Sequence, residues 1–546
     1  MRSRRTARRA GLFAALAVTL ATAACGSDDG GSGTADAQPR VGGSVTYAAR
    51  QEPDCWDPHA SAQDVTAFAQ RSVFDSLVYQ TPDGSFEPWL AKSWKISDDG
   101  RTYTFELRDD VTFHDGAKLD AAAVKANFDH IVAKDTESQF AAGLLGPYEG
   151  VKVTGPQELQ VSFSRPYAPF LQVVSTTFLG IASPASLKAG ADKLCSGTDS
   201  IGSGPFKAAA YTRGQQRSYT RFADYDWAPK SAGHSGPARL DSVTIRFITE
   251  DATRVGALSS GQVDGAADIP SNQIASVGKN PRLTTISKQV PGAVDAFYLN
   301  TKSELFSDIR VRKAFQRSLD LDTIVKSVFQ GTTERAWSPL SPTTPNSYDP
   351  SLEKTWPYDP DEAGKLLDEA GWTGRDAEGY RTKDGKRLTV FAPIYGEATV
   401  FSQAAQAELK KIGFFLDLHA STDAAEISGL LDGGKYDTVE LQWARPDGDI
   451  LSSFFLSTET SVGGGHNFAL VADPQVDEWL KAAQAEQDPK ERAKYYSQVQ
   501  KWTIDQAVVV PAYVKNGVVG VNKKVHDLRL SIATWPEFYP AWVQAD

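Results

Sequence analysis

The sequence predicts a layered α/β protein with a β-rich block inserted near its start. Three observations lead there. From about residue 205 onward, strand-like and helix-like stretches alternate, which is the pattern of α/β layers. Between residues 91 and 163, paired alternating runs read as hairpins instead. A chain of 546 residues with 41% hydrophobic content can bury a large core, and it shows no internal repeat.

The elements follow in order. Arg2, Arg4, Arg5, Arg8 and Arg9 form a charged n-region, and residues 10–24 are almost all Ala, Leu, Val, Phe or Gly. That run is shorter than the roughly 20 apolar residues that span a bilayer, so 1–24 reads as a secretory leader. Thr22-Ala23-Ala24-Cys25-Gly26 resembles a bacterial lipobox, which implies a lipoprotein signal peptide and a lipid on Cys25. The alternative is an ordinary leader cut near Ala24. Residues 25–43 are rich in Gly, Ser, Asp, Ala and Thr, with no large apolar residue before Val41. Such a segment behaves as a flexible tether.

Ser44–Ala49 alternates as a strand, broken by Pro53, Asp57 and Pro58. A helix pattern runs from about Asp64 to Tyr79. Trp94–Ile96 and Tyr103–Leu107 alternate around Asp99-Gly100, a hairpin by turn chemistry and by period. Asp120 caps a helix whose Val124, Phe128 and Ile131 share a face. Val151 and Val153, a Gly155-Pro156 turn, then Leu159, Val161 and Phe163 make a second hairpin. Strands follow near Gln216–Arg221 and Val243–Ile248, then one long helix over Arg310–Gln330 and another over Asp361–Ala370. Leu388–Phe391 is a strand. Phe401, Ala405, Leu409 and Ile412 form a helix face ended by Gly413. Phe415–Leu418 and Lys435–Leu441 are strands, Ala483–Ala507 is mostly helical, and Val508–Tyr513 returns to strand.

The formal charge is −11, and the leader contributes five Arg and no acid, so the remainder carries about −16. That disfavours nucleic acid, whose phosphates need clustered Lys and Arg. With Cys25 assigned to lipid, Cys55 and Cys195 remain, in a compartment where disulfides persist. They suggest one bridge, with two buried free thiols as the alternative. No Cys-x-x-Cys or other metal-type spacing occurs, and no metal or cofactor is expected.

Residues 90–120 carry the most specific signal: Leu-Ala-Lys-Ser-Trp, then Asp98-Asp99-Gly100-Arg101-Thr102-Tyr103-Thr104-Phe105-Glu106-Leu107-Arg108, then Val111-Thr112-Phe113-His114-Asp115-Gly116. Further blocks come in order: Gly202-Ser203-Gly204-Pro205-Phe206, Tyr298-Leu299-Asn300 with Asp308-Ile309-Arg310-Val311-Arg312-Lys313-Ala314, Tyr358-Asp359-Pro360, Leu366-Leu367, Ala370-Gly371-Trp372, Leu409-Lys410-Lys411-Ile412-Gly413 and Tyr436-Asp437. Together they resemble the extracellular solute-binding family 5, the dipeptide-, oligopeptide- and nickel-binding proteins of ABC importers. The resemblance implies a two-lobed periplasmic-binding-protein type II fold (cluster C). Lobe I would combine 42–80, 197–292 and 508–546, with a subdomain inserted at 81–196, and lobe II would be 293–507. Chain crossings would then lie near 292 and 507, and Cys55 and Cys195 near the two ends of the insertion.

The resemblance also implies a site. A Trp-containing loop of lobe II reaches the cleft in this family, here Gln442-Trp443-Ala444-Arg445-Pro446-Asp447-Gly448-Asp449. Peptide binders place an aspartate three residues after the Trp to pair with the α-ammonium. Pro446 stands there, so Asp447 is expected to take the role, the alternative being a turn cap. Trp443 offers a flat face, or packs in the core. Arg445 is a candidate for a ligand carboxylate, or for a lobe-closing salt bridge. Before the helix at 401–412, where dipeptide binders carry an arginine, this chain has Pro393-Ile394-Tyr395, so Tyr395 is expected to line the pocket. Tyr47, Arg50 and Glu52 follow the first strand and face the cleft, and Asn300 sits near the lobe crossing.

The function these residues imply is capture of a peptide, an oligopeptide in particular, by closure of two lobes. Delivery to a permease with ATPase subunits would follow, from an exported monomer lipid-anchored on the outer face of the bacterial cell membrane. Alternatives keep the fold but change the solute to a nickel chelate, an oligosaccharide or another polar compound, or make the chain a surface interaction or signalling lipoprotein. A secreted hydrolase is disfavoured: no Gly-x-Ser-x-Gly, His-Glu-x-x-His or phosphate loop ending in Gly-Lys-Ser/Thr occurs, and no catalytic residue is assigned.

Overall fold

The computed structural model describes residues 38–463 and 465–544. The leader at 1–24, Cys25 and the tether up to residue 37 lie outside the described residues. Among the described residues, no helix is long and apolar enough to cross a membrane.

Three sheets organise the body. The first has seven strands in the order Leu283–Gln289, Asn516–Asn522, Gly265–Ala266, Ser44–Ala49, Ser242–Phe247, Gln216–Arg221, Phe206–Thr212. Its central strand, Ser44–Ala49, runs parallel to both neighbours. Period-two alternation sends Val45, Tyr47 and Ala49 to one core and Ala48 to a second, with Val255, Leu258, Val263 and Ile269. A strand covered on both faces is buried by consecutive residues, as Tyr47, Ala48 and Ala49 are here.

The second sheet, order Glu334–Arg335, Val509–Val514, Gly292–Leu299, Thr438–Ala444, centres lobe II. A parallel pair, Thr389–Tyr395 with Phe415–Ser421, stands beside it, and helix Val400–Ile412 packs its Phe401, Ala405 and Leu409 into the shared core. The Asp437 carboxylate links the two, accepting from the Phe391 N–H at 2.9 Å.

The third sheet is the predicted hairpin block: Ala91–Ile96, Thr102–Leu107, Glu158–Phe163 and Tyr148–Gly155, all antiparallel. Helix Ala121–Val132 covers it, with the Asp120 side chain accepting from the Ala123 N–H at 2.7 Å. The block has no core of its own. Phe105, Phe128, Phe163 and Phe170 run on without a break into the core of the first sheet.

Three expectations are corrected. The helix begun at Asp64 ends at Gln70, and Val78–Gln80 is a strand. The loop at 202–206 holds the intervening chain open: the Gly204 and Phe206 N–H groups donate to the Val73 and Ser72 carbonyls at 2.8 and 3.0 Å. A side chain at Gly202 or Gly204 would collide with that backbone. The long helix over 310–330 is two helices, Ile309–Arg317 and Leu321–Val328, because Asp320 caps the second through the Thr323 N–H at 3.1 Å. The third is the crossing. Strand Val509–Val514 pairs with Asp295–Tyr298 in the lobe II sheet, and only Asn516–Asn522 returns to the first. The second crossing is therefore at Lys515 and not at 507.

The two crossings lie side by side. Val290 donates its N–H to the Lys515 carbonyl at 2.9 Å, and Gln289 pairs with Asn516. The expected bridge is present: Cys55 and Cys195 form a disulfide across 140 residues, with Cα atoms 4.2 Å apart.

Candidate ligand-binding cleft

Two adjoining cavities lie where the lobes meet. The larger, about 320 Å³, borders the crossings. Lobe I contributes Tyr47, Arg50, Asp64 and Asp268, the crossing contributes Lys515, and lobe II contributes Gln442 and Ala444. The smaller, about 80 Å³, is lined by Phe140, Phe178 and Trp535, with Arg71, Glu537 and Arg445. The two share Asp64, Ala444, Ala533, Trp535 and Pro536.

The larger cavity carries charges of both signs. Asp64 occupies the first turn of helix Asp64–Gln70. Its carboxylate is open to the water of the cavity, yet protein surrounds its other sides. That burial pushes the carboxyl up to about 6, with Lys515 and then Arg50 pulling it down and Asp268 pushing it up. Arg50 and Asp268 form a loose, half-exposed pair at 3.8 Å. Among the described residues, neither Asp64 nor Lys515 forms an ion pair of its own within 4.0 Å. At the wall, Tyr47 Oη and Gln442 Nε2 are buried without a hydrogen-bond partner. Buried polar atoms are nearly always paired, so two orphans beside one cavity mark a place for a polar partner.

Of the residues singled out in the sequence, Tyr47 and Arg50 line the larger cavity and Arg445 the smaller. Trp443 lines neither. On strand Thr438–Ala444 its neighbours Gln442 and Ala444 face the larger cavity, so Trp443 points the other way. It packs on Phe140 at 5.6 Å and against the edge of His466 at 4.6 Å. The Arg445 guanidinium is committed: it pairs with Asp449 at 3.3 Å and donates to Gln172 Oε1 of the insert at 3.2 Å. The Asp447 carboxylate is buried away from both cavities, accepting from the Asp449 N–H at 2.8 Å and facing Arg492 at 3.7 Å. Tyr395 is 65% exposed, at the outer end of its strand. Asn300 is a buried clamp, donating to the Tyr436 carbonyl at 2.7 Å and accepting from the Lys302 N–H at 2.9 Å. Glu52 turns from the cleft to Tyr211 Oη at 2.6 Å. Asp64, Asp268, Lys515 and Gln442 were not anticipated.

The sequence profile of the bacterial extracellular solute-binding proteins, family 5 Middle, matches residues 85–464. The chain belongs to this family. Among curated proteins it is similar to the glutathione-binding protein GsiB of Salmonella paratyphi A, 28% identical over 487 residues, 86% of this chain and 88% of that one. Among solved structures it resembles NikA from Brucella suis in complex with Fe(III)-EDTA, with a TM-score of 0.81 and 25% identity over 92% of this chain and 100% of the other. The oligopeptide-binding protein AppA from Bacillus subtilis, in complex with a nonapeptide, matches with a TM-score of 0.78 and 22% identity over 93% and 100%. The protein is thus a two-lobed solute-binding protein, and the inter-lobe cavities are its candidate site.

Proposed function

We propose that the protein captures a short peptide between its lobes and delivers it to an ABC permease. The observation that carries this reading is the charge pattern of the larger cavity. Asp64 of lobe I is placed for an ammonium group, Lys515 and Arg50 are placed for carboxylates, and the unpaired Tyr47 and Gln442 atoms can serve peptide groups. A cavity of about 320 Å³ sits at the lower end of the roughly 300–1,000 Å³ usual for small-molecule sites. It suits a dipeptide or tripeptide better than a long chain. The similarity to glutathione-binding proteins supports the same size class. The protein acts as a receptor and not as a catalyst: solute binds the closed form better than the open one, and only that difference drives closure.

Calorimetric titration of lipid-free protein with dipeptides, tripeptides and glutathione tests this. At least one peptide is expected to bind, and Asp64→Asn and Lys515→Ala are each expected to weaken it by about 10- to 100-fold, the ~1.5–3 kcal/mol of a charge-assisted contact. A proton competes with the ammonium for Asp64, so affinity is held above about pH 6 and falls as pH drops through it. Between pH 7 and pH 5 the loss should reach about 10-fold, and Asp64→Asn should flatten it. Heat with nickel chelates or oligosaccharides but with no peptide would overturn the reading.

The reading includes a monomer held at the outer face of the cell membrane by lipid on Cys25. A lipid on one end of a flexible tether keeps a receptor near its permease. Expressed in a Gram-positive host, Cys25→Ala should move the protein from the membrane fraction to the medium. Unchanged membrane retention would count against the anchor.

A further inference from the structure

Away from the cleft, Asp57, His59 and His130 bring one carboxylate and two imidazoles together, their ligating atoms all within 4.8 Å of one another. Asp57 and His59 lie in the loop after strand Ser44–Ala49, and His130 comes from the last turn of helix Ala121–Val132 in the insert. Asp57 and His59 are 3% and 1% exposed.

Hydrogen-bond partners decide the ring protons. His59 Nε2 lies 2.8 Å from the Gly180 carbonyl oxygen, so it carries the hydrogen and donates. Its Nδ1 is then a bare lone pair, 3.9 Å from Asp57 Oδ1, and no donor reaches it. The Thr136 hydroxyl donates to the His130 carbonyl, which leaves its oxygen free to accept from His130 Nδ1–H at 3.2 Å. His130 Nε2 faces Asp57 Oδ2 at 2.8 Å. Each ring thus has its far nitrogen donating to a fixed oxygen and its near nitrogen aimed at the carboxylate. Metal-bound histidines almost always show that arrangement, because the outer hydrogen bond fixes the tautomer and the ring plane.

We propose that Asp57, His59 and His130 bind a divalent transition-metal ion, zinc foremost, through the Asp57 carboxylate, His59 Nδ1 and His130 Nε2. Two imidazoles with one carboxylate suit zinc and its neighbours, whereas magnesium and calcium take oxygen ligands. On binding, the ion replaces the hydrogen between His130 Nε2 and Asp57, which leaves to solvent, and no other bond changes. The ion would pin the insert to the loop that also carries Cys55 and leads into Asp64.

The test uses untagged, disulfide-intact protein stripped with chelator, then titrated with zinc chloride and, for an optical signal, with cobalt(II). One equivalent of zinc is expected to bind and to raise the melting temperature, and cobalt should give the visible bands of a four-coordinate site. His130→Gln should weaken zinc by at least about 100-fold. Thr136→Val removes the outer acceptor together with the hydroxyl's bond to the His130 carbonyl, leaves the ligands in place and should weaken zinc by about 10-fold. Absence of stoichiometric zinc in the wild type, or equal zinc affinity in wild type and His130→Gln, would overturn the assignment. The cluster would then be a hydrogen-bonded strut alone.

Discussion

Replacing Cys55 and Cys195 together by serine is expected to lower stability by roughly 3–5 kcal/mol. The bridge closes 140 residues of chain, among the longer loops a single disulfide spans, and the chain-entropy cost of an open loop grows with its length. The closed segment contains all but the last residue of the insert expected at 81–196. Without the bridge, the loop at 51–63 is held to helix Ala191–Cys195 by lesser contacts, such as the Trp56 N–H donating to the Cys195 carbonyl at 3.0 Å. Urea unfolding of the double variant, beside wild type with and without reductant, measures the effect. A loss below about 1 kcal/mol would mean that the apolar core running from the insert into lobe I fixes the insert unaided.

Arg445→Ala should cost a similar amount, about 3–5 kcal/mol, for a different reason. Burial works against the Arg445 charge, but Asp449 foremost, then Tyr167 and Asp447, hold its pKa above the usual arginine value. Removing the guanidinium leaves Asp449 buried with only the Ser452 hydroxyl at 2.6 Å and the Gln484 amide at 2.9 Å. A buried carboxylate stripped of its cation is far more costly than a pair replaced whole. The double variant Arg445→Met, Asp449→Leu should therefore recover most of the loss. Thermal unfolding in the absence of solute separates this from a ligand role. A variant that keeps its melting temperature but loses solute affinity would return Arg445 to the ligand.

Local chemistry was legible in the sequence, and distant contacts were not. Asp99-Gly100 and Gly155-Pro156 announce their hairpins because the turn residues and the alternating runs beside them settle the matter within a few positions. The stretch 71–79 carries an equally helical pattern, but the loop at 202–206 takes its carbonyls. Within the loop at 442–449 that the family motif singled out, Gln442, Ala444 and Arg445 border the cavities and Trp443 and Asp447 do not. Strand parity turns Trp443 inward and offers Gln442 and Ala444. Asp64 read as a helix start and Lys515 lay just past the last predicted strand, because nothing nearby says that either borders a cavity. His59 and His130 show no metal-type spacing for the same reason: distant segments of the chain fold against each other to bring them together.

The paired crossings have a further consequence. Two neighbouring connections stitched by the Val290–Lys515 hydrogen bond define a single axis and leave the lobes one easy degree of freedom. A point on the axis hardly moves, and contacts made elsewhere between the lobes, such as Arg165 donating to Gln484 Oε1 at 2.8 Å, must break when they part. Lys515 therefore keeps its place whether the jaws are apart or together. Under the proposed reading it is a stationary landmark, against which an arriving carboxylate would dock before the lobes shut.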